Sequence, residues 1–252
     1  MRLNHSHGLD LRNAYAAFWA KVVRYAGGHA RRYSQNQLSM AVEADGCVTV
    51  ETSTDGSALE FKGLPARPYD SRADYDVYIQ FRERIRGTSA GGQTPRFVAV
   101  ECNVRVQYIQ SRTPAEVQKE LSGEINPAQA YQGVHFDLSA QSLHHHPLFH
   151  AQITPGCVEG QGIGRKYSPT AAEVMRCDNP RIPTAPLDLA GTVYVILHDH
   201  LPEIVTRGWP RDFHEALARL PVLPLDSFAN YLRPGATMDC AWWYLHAGHH
   251  ES

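Results

Sequence analysis

The chain has 252 residues, 43% of them hydrophobic and 20% charged, with a formal net charge of -2. These proportions belong to an ordinary globular protein and exclude both a disordered chain and a glycine-periodic fibre. The longest apolar run, Leu187 to Leu197, carries Asp188 and ends at His198, Asp199 and His200. That falls short of the roughly 18 residues needed to cross a bilayer, so no membrane association is expected.

A chain of this length is expected to form a single domain over residues 1–252, with a sheet-rich part at 1–155 and a helical part at 156–252. Its five cysteines are an odd number without a CxxC pair, and the first residues contain no apolar leader. A reducing, cytoplasmic setting is therefore expected.

Leu11, Tyr15, Phe18, Val22 and Tyr25 recur at helical spacing, which predicts a helix over 11–25 with Asp10 as its N-cap and Gly27 and Gly28 as its stop. Strand signals follow. Leu38, Met40 and Val42 alternate with polar residues, Ala44 to Gly46 reads as a hairpin turn, and Val48 and Val50 return along a second strand. A short strand is expected through Leu59 and Phe61, and another in which Tyr75, Val77, Ile79 and Phe81 share a face. The longest alternation runs from Phe97 to Ile109. Val98, Val100, Cys102, Val104, Val106 and Tyr108 occupy its even positions, which predicts a strand with one face on a core and Glu101, Asn103, Arg105 and Gln107 on the other. Thr113, Pro114 and Glu116 form a capping box for a helix ending near Gly123.

Further strands are expected through Val134, Phe136 and Leu138 and through Leu148 to Thr154. Beyond Ser168 the pattern turns to short helices separated by prolines: one opened by Ser168 to Glu173, a longer one running to His200, and two at 212–220 and 226–232. Strands first and helices later predict an α+β fold, a curved antiparallel sheet with helices packed on one face and a mainly helical C-terminal half.

Histidine is over-represented, at 14 residues. His144, His145 and His146, followed by Pro147 and His150, form the densest cluster. On an extended segment His144, His146 and His150 share a side, so these three are the candidate ligands for zinc or manganese, with His135 and Asp137 of the neighbouring strand available to complete the set. Structural histidines are the competing explanation. His198 and His200 are placed to interact with the carbonyl end of their helix, and His246, His249 and His250 lie in the tail. Asp76, Glu101 and Asn103 invite comparison with magnesium-dependent nucleases, but no lysine accompanies them, and cross-strand pairing of Glu101 with Arg82 or Arg84 explains the pattern as well.

Lys21, Arg24, Arg31 and Arg32, interleaved with Trp19, Tyr25 and Tyr33, make the one local basic and aromatic concentration and the candidate nucleic-acid surface. Residues 161–166 are glycine-rich but lack the ending of a phosphate loop, and there is no GxSxG elbow.

His146 to Gln152 reads HPxxHxQ, and the segment 179–189 contains Arg181-Ile182-Pro183 and Pro186 in an RIPxxP pattern. Over about 60 residues these motifs and the helix that follows resemble the closing half of a family of uncharacterised bacterial proteins met near toxin-antitoxin and phage-defence genes. The resemblance implies a small cytoplasmic α+β accessory protein and transfers no catalytic residue. In physical terms His146 and His150 can bond to Arg181 or its backbone neighbours, and Thr184 can cap a helix starting at Pro186.

Together these features predict an accessory protein that binds a protein partner or a nucleotide-like ligand through its sheet face, with Glu101, Asn103, Arg105 and Arg181 as the ligand-binding candidates. A metal-dependent hydrolase or nuclease built on His144, His146 and His150 is the alternative.

Overall fold

A computed structural model describes residues 1–32, 37–53, 58–65, 74–88, 96–111, 130–139, 149–154, 181–183, 188–206 and 209–222, together with 115, 118, 119 and 122. The chain is α+β. Among the described residues eight antiparallel strands form one sheet curled into a half-barrel, with helices at its N-terminal end and in the C-terminal region. The strands are β1 (Leu38–Val42), β2 (Val48–Thr52), β3 (Leu59–Leu64), β4 (Tyr75–Thr88), β5 (Arg96–Gln110), β6 (Ala130–Ser139), β7 (Phe149–Thr154) and β8 (Arg181–Pro183). Their order is β1-β2-β4-β5-β6-β7-β8, and β3 pairs with β4 beyond the stretch that β2 occupies. The helices are α1 (His5–Tyr25), α2 (Leu189–His200), α3 (Pro202–Thr206) and α4 (Arg211–Leu217).

Helix α1 begins six residues earlier than its apolar spacing suggests. Asn4, not Asp10, is the N-cap: its side chain accepts from the His7 amide at 3.1 Å, and its own amide donates to His7 Nδ1 at 3.2 Å. This is a capping box with imidazole in the place usually taken by Glu or Gln. Gly8, Leu11, Tyr15, Phe18, Trp19 and Val22 form its buried stripe, the three- and four-residue spacing of one helix face. Gly8 lets the helix approach β1 closely, since a Cβ there would lie 2.6 Å from Met40 Sδ. Gly27 and Gly28 end the helix at positive φ, 60° and 89°, where residues with a side chain are disfavoured.

The core lies between α1 and the inner face of the sheet and continues into α2 and α4. Val48, Val50, Phe61, Val77, Ile79, Ile85 and Val104 meet Leu11, Phe18 and Val22, and Val193, Ile196 and Phe213 join the same cluster. Trp19 sits edge-on to Phe61, with ring centroids 5.3 Å apart. Strands β4 and β5 are the long pair that carries this core, running from Tyr75 opposite Gln110 to Thr88 opposite Arg96.

Their register corrects one feature of the sequence pattern. Arg84 faces Glu101 but Ile85 faces Ala99, so Val100 is the extra residue of a β-bulge that flips the phase of the strand. Ala99 is buried in place of Val98 and Val100, which are only half-buried.

In the C-terminal region α2 starts at Leu189 with Asp188 as N-cap, accepting from the Gly191 amide at 2.7 Å, rather than at Pro186 under Thr184. Arg181–Pro183 is a strand, which the proline-rich segment did not suggest. Residues 115, 118 and 119 are helical within the segment expected to be a helix. The helices expected at 168–173 and 226–232 lie outside the described residues, as do residues 161–166 and the histidines at 246, 249 and 250.

Candidate functional site

Residues paired directly across antiparallel strands share a face of the sheet. On β5, Cys102, Val104 and Val106 are buried on the inner face, while Glu101, Asn103 and Arg105 are half-buried on the outer one. The register carries this outer face across five strands. Gln80, Arg105, His135, Gln152 and Arg181 form one cross-strand row. Glu51, Arg82, Asn103, Asp137 and His150 form the next. Strands lie about 4.8 Å apart, so positions 105 and 181, three strands from each other, are separated by about 14 Å.

Three of the four ligand-binding candidates, Asn103, Arg105 and Arg181, thus come from distant parts of the chain to two adjacent rows. His150 joins them. His144 and His146 lie outside the described residues. The two motif segments are neighbours: β7 pairs with β8, placing His150 opposite Pro183 and Gln152 opposite Arg181.

Glu101, the fourth candidate, is one row further along and belongs to an ion-pair network centred on Arg84. The Arg84 guanidinium donates to Glu43 at 2.7 Å, to Glu101 at 3.0 Å and to Asp45. These carboxylates hold Arg84 above its ordinary pKa, with the Glu43 hydrogen bond the main cause. Glu43 is in turn held below the usual carboxylate range, chiefly by the Thr49 hydroxyl, and Asp45 is lowered by the Cys47 amide. Arg82 makes a looser pair with Glu51 at 3.6 Å.

Asp76 does not converge with Glu101 and Asn103. It pairs with Ile109, whereas Glu101 pairs with Arg84, eight strand positions or about 26 Å away. Its carboxylate accepts from Lys62 at 3.1 Å, the Gly63 amide at 3.0 Å and the Ser111 hydroxyl at 2.8 Å.

The basic patch is divided. Lys21 and Arg24 reach Asp212 of α4 at 2.7 and 3.2 Å, and the Tyr25 hydroxyl donates to the same carboxylate at 2.7 Å. The Lys21 hydrogen bond, followed by that of Tyr25, pulls Asp212 down to about 2. These two cations tie α1 to α4. Arg31 and Arg32 are exposed.

His198 is 61% exposed beside Asp199, at 3.9 Å. His200 is buried instead, packed against the rings of Tyr75 and Tyr108, with Nδ1 2.8 Å from the Pro65 carbonyl, to which it donates. The expectation that both imidazoles interact with the helix end is corrected for His200, whose place is an aromatic pocket.

One strongly perturbed group was not singled out from the sequence. Glu83 lies on the inner face of β4, 2% exposed. Its Oε1 accepts from the Leu189 amide at the start of α2 at 3.1 Å, and the Tyr15 hydroxyl of α1 donates to Oε2. Burial, then the charge of Asp188, pushes Glu83 up to about 7, against the lowering effect of its hydrogen bonds. Burial also raises Asp188. A signal was available: Glu83 continues the Tyr75, Val77, Ile79, Phe81 series that shares the core face. Closed off from solvent, it joins α1, β4 and α2 through these hydrogen bonds.

A cavity of about 590 Å³, lined mainly by Leu11, Ala14, Phe97, Leu220 and Val222, lies beside α1 on the opposite side from these polar rows. Cys47 and Cys102 are buried thiols that form no disulfide with each other. Among the described residues no helix is long and apolar enough to cross a membrane.

No protein-family model, curated protein or solved structure matches this chain.

Proposed function

We propose that this chain is a binding protein that takes a phosphorylated, nucleotide-like small molecule on the outer face of its sheet. The observation that carries this reading is the cross-strand row Gln80, Arg105, His135, Gln152 and Arg181, set beside Asn103, Asp137 and His150. Arginine suits phosphate because its planar guanidinium presents several donors at once. Amide and carboxylate residues in the same rows supply the acceptors and donors that select a base or sugar. Pairing of β7 with β8, which sets 150–152 of the HPxxHxQ motif beside 181–183 of the RIPxxP motif, supports a shared role for the two. An accessory component of a defence or toxin-antitoxin locus, the setting that the resemblance implies, would use such a surface to read a nucleotide signal.

Calorimetric titration with nucleoside mono-, di- and triphosphates and cyclic nucleotides tests this. Each charged hydrogen bond is worth about 1.5–3 kcal/mol, so Arg105→Ala and Arg181→Ala are each expected to weaken binding at least about tenfold. An Arg31→Ala, Arg32→Ala double variant is expected to bind as the parent does. Absence of binding at millimolar ligand would refute the proposal. Loss confined to the Arg31, Arg32 variant, with steep salt dependence, would move the ligand to the basic patch and make it a nucleic acid.

A further inference from the structure

The same face brings together a second kind of chemistry, carried by three residues that the sequence already offers as metal-ligand candidates. Asp137 and His150 are direct partners across β6 and β7, and His135 lies two residues from Asp137 on the same face. Directly opposed residues have Cβ atoms about 4.5–5.5 Å apart, and diagonal neighbours such as positions 135 and 150 are about 7–8 Å apart. Two histidines and one carboxylate at such separations are the donor set favoured by divalent ions that accept both nitrogen and oxygen, at bond lengths of about 2.0–2.2 Å. Asn103 stands opposite Asp137 and Gln152 opposite His135. Carboxamides are among the residue types able to hydrogen-bond and orient metal-binding side chains.

We propose that positions 135, 137 and 150 together form a site for a divalent transition-metal ion, zinc or manganese. Of the expected set His144, His146 and His150 this keeps His150, and it makes His135 and Asp137, expected only to complete that set, the other two members of a triad spread over two paired strands. The ion lies between the arginine positions 105 and 181, where it would add positive charge for phosphate oxygens. Only this last link rests on the ligand-binding reading; the ion site stands without it.

The test uses the full chain produced without a histidine tag, stripped with a chelator and dialysed against zinc or manganese chloride. Metal content is measured by mass spectrometry, and affinity by competition with a chromophoric chelator. The expected result is one ion per chain. Loss of an orienting neighbour alone weakens metal sites by about 10- to 100-fold, so His135→Gln, Asp137→Asn and His150→Gln are each expected to weaken binding at least tenfold. The His144→Gln, His146→Gln double variant and His198→Gln are expected to keep the ion. Failure to retain any ion, equal retention in His150→Gln, or loss in the 144/146 double variant would overturn the proposal. Cobalt(II) supplies a second measurement should a variant melt early: visible absorption bands in the parent, absent from folded Asp137→Asn at low temperature, support the site, and bands of equal strength in both refute it. Nucleotide titration with and without chelator separates the two proposals. A bound ion without nucleotide binding refutes the ligand reading alone, and nucleotide binding by a chain that holds no ion refutes the metal site alone.

Discussion

Replacing Glu83 by Gln should remove most of a pH dependence that the wild-type fold carries through its interior. In the folded chain Glu83 is raised from an ordinary 4.5 to about 7, first by burial and then by Asp188. Between these two values the native state holds a proton that the unfolded chain has released, so stability falls as pH rises through this window. Each pKa unit corresponds to 1.36 kcal/mol, so the wild type loses about 3 kcal/mol between pH 4.5 and pH 7 on account of this group. For a chain of this size, that is about 10 °C in Tm. Glutamine has nearly the same shape. Its oxygen can accept from the Leu189 amide, and its NH2 can donate to the Tyr15 oxygen, which has a lone pair free to accept. Glu83→Gln should therefore fold, match the wild type near pH 5, and exceed it by about 3 kcal/mol at pH 8. Urea denaturation of both proteins at half-unit steps from pH 5 to pH 8 measures this directly. Asp188 remains in the variant, so the difference between the curves reports Glu83 and its repulsion from Asp188. Parallel curves, with one protein offset from the other by a constant amount, would refute the reasoning.

Three further outcomes are expected. Tyr15→Phe removes one of the donors to the Glu83 carboxylate and should cost about 1–3 kcal/mol at pH 8; in a denaturation cycle with Glu83→Gln the two changes in stability should not add. Trp19→Ala empties a fully buried site against Phe61 and should cost about 3–5 kcal/mol, read as a lower urea midpoint with an unchanged slope. Asp212→Asn leaves Lys21 and Arg24 without their shared partner, so Tm should fall slightly at low ionic strength, and the difference should vanish in 1 M salt if the contact is electrostatic.

The strand pattern was legible because a half-buried strand must alternate, and the residues from Tyr75 to Phe81 and from Cys102 to Val106 do so in their sequence. Helix α1 was legible from its apolar stripe but not at its start, where Asn4 and His7 make a cap with an unusual partner residue. The bulge at Val100 was hidden because every even position around it is apolar, and only pairing with β4 shows that one residue is extra. Glu83 was visible in principle as an acidic residue in a core phase. Its consequence, a proton held near neutrality, depends on Tyr15, Asp188 and Leu189, which no local pattern connects to it.

The sequence by itself determined the α+β class, the hairpins, the polar face of β5 and the residue types able to bind an anion or a metal ion. Local propensity and period decide such features, and both are written along the chain. The tertiary structure decided which of those residues meet. Cross-strand register set positions 105, 135, 152 and 181 in one row and 137 opposite 150, and the packing of α1 against α4 brought Lys21 and Arg24 to Asp212. Register follows from how whole faces bury against α1, because a slip of one residue would expose the core face of a strand. That constraint belongs to the assembled sheet, not to any of its strands alone.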